Sequence, residues 1–196
     1  NKADLTATTV ANTNTFTNTS NLTADNLTNE KTFNNNGGTV TVNTSFENTS
    51  NGTISGGTLN LENGGTNSGT ISNGTLNING GTLDNKGAVS GATVKVDGNL
   101  TNNGSITNSN TTVNNGAKLT NSANKTISGG SIVANGTLDN KGKITGSTIT
   151  VSGTDSVNSG TIENSTTNVD SSFTNSGTIS GGTTNVNGTL INSGTM

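Results

Sequence analysis

Cysteine, proline, histidine, tryptophan and tyrosine are all missing from the 196 residues, and each of the eight basic residues is a lysine. Without histidine and cysteine, most catalytic and metal-binding chemistry is excluded, and no catalytic residue, cofactor or metal site is expected. The lack of cysteine is compatible with export but says nothing about redox compartment. Net charge is only −3, and the lysines are scattered, so there is no basic face for nucleic acid. No apolar run approaches the length needed to cross a bilayer, so no membrane insertion is expected. Large apolar residues are scarce too. Leu, Ile, Val and Phe number 38, about 19%, a level at which chains are usually disordered. A low net charge argues against disorder driven by self-repulsion. So few apolar residues cannot fill a compact core for this length, which leaves a thin, elongated one.

What is present repeats. The segment "NSGTISNGTLNINGGTLD" at 67–84 nearly restates "NSGTISGGTTNVNGTLIN" at 175–192. Aligned on the residue after N-x-G-x, a first column runs Phe16, Phe33, Ile54, Ile71, Val89, Ile106, Ile127, Ile144, Ile162, Ile179 and Met196, with a mean period of 18 residues. A second column lies five residues on in most repeats (Leu59, Leu76, Val94, Thr111, Ile132, Ile149, Thr167, Thr184). A third follows two later (Leu61, Ile78, Val96, Val113, Ala134, Val151, Val169, Val186). The fourth is assigned Leu27, Phe46, Thr66, Leu83, Leu100, Leu119, Leu138, Val157, Phe173 and Leu190. Early repeats conform as Leu22 and Ala24, then Val40 and Val42, and the beginning of the chain fits as Leu5, Ala7 and Val10. Only Val133 and Ile191, among the large apolar residues, fall outside the columns.

Segments such as "TLNI" and "TVTV" alternate apolar with polar, the mark of strands with one buried face. Between them "SNG", "NGG" and "NKG" read as turns in which Gly and Asn supply positive φ. Three short strands and three corners make one coil of an all-β, single-stranded parallel β-helix, a β-solenoid of about ten coils of about 18 residues. Extra residues lie only between columns, at 34–38 and 121–125, where corners absorb them. At the usual strand spacing, ten coils form a rod on the order of 48 Å long. A left-handed hexapeptide helix would space its key residues six apart, and parallel crossovers are usually right-handed, so a right-handed coil is expected. Residues 1–196 are read as one solenoid domain without recognisable caps.

Asparagines four residues before the first column also align: Asn12, Asn29, Asn67, Asn85, Asn102, Asn140, Asn158, Asn175 and Asn192. Stacked along the axis, their amides are expected to form a structural ladder on the outside of the corners. Thr39, Thr58, Thr75, Thr93, Thr148, Thr166 and Thr183 form an outward row. Beside it Thr41, Asn60, Asn77, Lys95, Thr112, Val133, Thr150, Asn168 and Asn185 form another. Parallel Thr rows resemble ice-binding solenoids, but Thr suits any exposed strand, and Lys95, Asn110 and Val133 interrupt the array. Glu62, Asp97 and Asp170 share a corner position with neutral neighbours such as Asn79 and Asn114, which avoids stacked like charges. No carboxylate pair suits acid–base work on sugars, so the chain is not read as an enzyme. A glycan-binding solenoid is disfavoured by the near-absence of aromatic platforms.

"NSGTISNGTLNINGGTL" and "NKGAVSGATVKVDGNLTNNGSI" resemble the passenger repeats of bacterial autotransporter and filamentous-haemagglutinin-like adhesins. The resemblance covers almost the whole chain. It implies a secreted, right-handed β-helical shaft, extracellular on a bacterial surface, with host or neighbouring cell surfaces as further partners. The secretion domain and membrane barrel that accompany such repeats have no counterpart in the sequence, and an excised shaft segment is one expectation. The ends suggest another. Met196 is a first-column residue and Leu5 a second-column one, so "INSGTM" followed by "NKADLTA" continues the pattern, with Leu5 five positions after Met196. The expected partner is a second copy in a head-to-tail homopolymer, with self-association ends Leu5, Ala7 and Val10 at one face and Thr184, Val186, Leu190 and Met196 at the other.

Overall fold

A computed structural model describes residues 1–196. Its 27 strands form a single sheet that winds on itself, every pairing is parallel, and there is no helix. The period-2 segments and short polar corners of the sequence produce a β-solenoid of about ten turns of about 18 residues. One turn in the middle has three sides: Thr58–Leu61, Gly64–Asn67 and Thr70–Ser72. The next turn lies on it in register, with Leu76 over Leu59, Ile78 over Leu61, Asn85 over Asn67 and Val89 over Ile71. These are called sides one, two and three below.

Three short strands per coil hold through the middle, and strands fuse toward the ends. Leu5–Asn12, Asn21–Asn29 and Thr39–Asn48 run unbroken from side one through side two. Near the other end Thr161–Val169 and Thr178–Val186 run from side three into side one.

The columns point inward. A single cluster of 33 buried apolar residues fills the lumen, with Phe33, Leu76, Leu100, Ile132 and Phe173 among its largest members. One coil buries little alone; each side chain is covered by its counterparts above and below, as in any stacked repeat. At one end Phe16 and Phe33 stack with ring centroids 4.9 Å apart.

Two fourth-column assignments are corrected by the pairing. Leu83 lies over Gly65, not Thr66, and Thr66 pairs with Asp84 on the outer face. A β-carbon on Gly65 would come within 2.7 Å of the Phe46 β-carbon, and the residue has φ +141°, so only glycine allows the coils to close here. The second correction is that Ser156, not Val157, lies in line with Phe173. Its Oγ is buried and accepts the Leu138 N–H at 3.0 Å, which makes a serine tolerable in an apolar column. Val157 faces outward over Asp139.

A third correction concerns the glycine of N-x-G. Gly69, Gly87, Gly104, Gly160 and Gly177 lie at the corner from side two to side three, and their φ is not positive. What they provide is room: a β-carbon on Gly87 would lie 2.0 Å from the Gly69 carbonyl oxygen, and one on Gly104 equally close to that of Gly87. Positive φ is concentrated at the corner from side three to side one, where Gly56, Asn73, Gly91, Asn108, Gly129, Gly146, Asn164 and Gly181 succeed one another.

Candidate self-association faces and the amide ladder

The corner asparagines form one continuous chain inside the protein. Ten hydrogen bonds of 2.6–2.9 Å join the side chains of Asn12, Asn29, Asn48, Asn67, Asn85, Asn102, Asn121, Asn140, Asn158, Asn175 and Asn192. The expected position outside the corners is therefore wrong, since the members from Asn29 to Asn175 are fully buried. Each Nδ2 that donates along the ladder has a second task. Asn85 also donates to the Ser105 carbonyl and Asn67 to that of Ala88, so backbone groups turned inward at the corner are satisfied. Asn48 and Asn121 were missed because two extra residues in their corners place them six, not four, before the first column. Their signal was the preceding strand, where each follows a fourth-column residue by two like every other ladder member. A short second row, Asn1–Asn18–Asn35, occupies the corner from side three to side one in the first coils.

Outer polar residues also pair across coils. Asn43 donates to Asp25, Asn79 to Glu62, Asn114 to Asp97 and Asn187 to Asp170, so the neutral neighbours of the acids are donors as well as spacers. Hydrogen bonds from Lys95 and then Asn114 hold the Asp97 carboxyl below its ordinary range, and Lys143 does the same for Glu163. Asp139 is nearly buried between the ammonium groups of Lys118 at 2.8 Å and Lys141 at 3.4 Å. The Thr row is in register through Thr58, Thr75 and Thr93, then passes to Asn110 and Ser131.

Three open grooves with wholly polar linings mark this surface; one, of about 470 Å³, is lined by Asn114, Asn115, Asn135 and Ser152. No three His, Cys, Asp or Glu side chains stand close enough to hold a metal ion.

The apolar exposure is at the two end coils. Leu5 is 40% exposed, Val186 47% and Met196 55%, whereas interior members of the same columns, such as Leu22 and Ile144, are covered almost completely. Ala7, Val10, Thr184 and Leu190 are half-buried, each covered on one side only. Ile191, outward beside Leu190, adds an exposed apolar group that the column pattern did not place. The ladder is open there too. Asn12 Oδ1 receives only a 3.4 Å contact from the Asn14 N–H, and Asn192 Nδ2 reaches only the Gly194 carbonyl at 3.4 Å. Asp4 lies on the first coil, its carboxyl held below the usual range by hydrogen bonds from Ser20 and then Asn21. One defect lies close to the opposite face, where the buried Thr167 hydroxyl has no partner.

Comparison with known proteins finds no matching family model, no matching curated protein and no matching solved structure.

Proposed function

We propose that the chain is a structural element of an extracellular filament or surface shaft, built by end-to-end stacking of copies and carrying out no covalent chemistry. One observation carries the reading. The end coils are incomplete copies of an interior coil contact, in matching register. A second copy placed on the last coil sets its Leu5 over Thr184, Ala7 over Val186, Val10 over Leu190, Asn12 over Asn192 and Phe16 over Met196. Each of these residues has its own column-mate on the inner side, as in Leu5 over Leu22 and Leu190 over Phe173. The exposed Ile191 would then neighbour Ala11 of the added copy. Burying these groups removes apolar surface from water at about 25 cal/mol per Å² and pairs strand edges that otherwise invite association. The likeness of the repeats to autotransporter and filamentous-haemagglutinin-like passengers supports a shaft on a bacterial surface.

The test is the state of the purified full chain over a concentration series. Light scattering should show growth with concentration, and negative-stain microscopy should show thin unbranched rods many times longer than one chain. A monodisperse monomer at the highest soluble concentration would refute the proposal.

A further inference from the structure

We infer that copies join in one direction only, with the last coil of one chain on the first coil of the next, and that the buried amide ladder sets this polarity. The inference rests on the end-to-end reading above and adds the direction and register of assembly. All ten ladder bonds run the same way: Nδ2 of the earlier asparagine donates to Oδ1 of the later one, from Asn12 to Asn29 through to Asn175 to Asn192. A one-way chain has unlike ends. The first coil presents a carbonyl oxygen, Asn12 Oδ1, and the last presents amide protons on Asn192 Nδ2. Stacked head to tail, donor meets acceptor and the row continues through the junction. Two first coils face to face would oppose oxygens, and two last coils would oppose donors. In either case the amides enter a desolvated interface unpaired, giving up their hydrogen bonds to water with nothing in exchange.

Column order gives the same answer. A two-fold arrangement reverses the sense in which the chain circulates, so an aligned amide row would set the fourth column of one copy against the first column of the other. Only the head-to-tail stack superimposes every column on itself. The contact is heterologous, and a heterologous contact that does not close into a ring gives an open filament.

Polarity is read out with chains blocked at a single face. Leu5→Glu and Val186→Glu each place a carboxylate on one end coil, at a position open to water in the free chain. Wild type should polymerise, each variant alone should sediment as a monomer, and an equimolar mixture should form dimers and nothing larger, since one intact first coil meets one intact last coil. Dimer formation also shows that both variants are folded, and circular dichroism of each alone checks it independently. A third variant, Asn192→Asp, keeps the oxygen that Asn175 donates to but removes the outgoing donor, and should raise the concentration needed for polymerisation about tenfold or more. Dimers of either single-face variant alone would overturn the polarity by showing like faces joined. A mixture that stays monomeric while wild type polymerises would overturn the assignment of the faces. A wild type that never associates defeats the end-to-end reading itself, a result distinct from both.

Discussion

Asn102 and Asn108 stand six residues apart in the same coil, each at a corner, and they turn the chain by different means. Asn102 is fully buried; its amide receives a hydrogen bond from Asn85 and donates to Asn121 and to the Thr126 carbonyl. Asn108 is exposed with φ 49°, a left-handed conformation that Asn and Gly adopt at small cost. One corner needs the side chain and the other needs the backbone. Succession along the axis shows the difference. The buried row is asparagine without exception from Asn12 to Asn192, whereas the left-handed row alternates freely between Asn and Gly. No other residue type has the donor and acceptor geometry to continue the first row, while any residue that tolerates positive φ continues the second.

The sharpest way to break this comparison is the same substitution at both corners. Asn102→Asp sets a carboxylate oxygen against the Asn121 oxygen and the Thr126 carbonyl in a dry interior, and should cost about 3–5 kcal/mol in urea unfolding. Asn108→Asp should change stability by only a few tenths, because Asp also accepts the left-handed region and faces water. Equal shifts would mean the ladder is not buried. Glycine offers a second contrast, of smaller size. Gly87→Ala drives a β-carbon into the Gly69 carbonyl and should cost about 2–4 kcal/mol. Gly146→Ala, with φ +63° and no atom within 4 Å of the added carbon, should cost only about 1 kcal/mol, the strain of the left-handed conformation. Thermal melting of the two variants ranks them, and the reverse order would count against the close approach of coils at the N-x-G corner.

A milder effect has the opposite sign. Thr167→Val removes a buried hydroxyl that has no partner and keeps the shape of the side chain, so it should raise stability by about 1 kcal/mol. A loss in urea unfolding would show that the hydroxyl is satisfied. The smallest effect expected is that of acid. Asp4, Asp97 and Glu163 are held below their ordinary pKa values in the folded chain. Their contribution is therefore present above about pH 4 and is lost as pH falls through the lowered folded values. Asp4 and Asp97 are exposed and Glu163 is partly exposed, so all three are screened and melting points at pH 7 and pH 3 should differ little. Lys95→Ala should flatten even that difference by releasing Asp97. A collapse near pH 3 would mean that acid acts through a group other than these three.

Much of the fold was legible because the repeat is nearly exact and the alphabet is small. Alternation in "TLNI" and its relatives marked strands and their inward faces, and the 18-residue return placed one coil on the next. Gly65 and Ser156 were misread for a common reason: a column defined by apolar side chains favours the nearest apolar or β-branched residue, here Val157 or Thr66, over a small residue that fits. The ladder was visible as a column of asparagines, yet its burial was not, since Asn is ordinarily a surface residue. Asn48 and Asn121 stand outside the four-residue spacing because their corners are two residues longer. The end faces were legible as column members; what the sequence alone did not show is that Ile191 adds an outward apolar group beside them.

From the sequence alone came the period, the inward set of apolar residues and the three-sided coil, because alternation and return distance are properties of the chain read along its length. Which side of each corner is wet, which glycine makes room and which bends the backbone, and which way the amides point were decided by the tertiary structure. These depend on the residue one coil above and one coil below, and the distances between stacked coils, about 2 Å from a missing β-carbon to a carbonyl oxygen at Gly87, exist only once the coils have closed on one another.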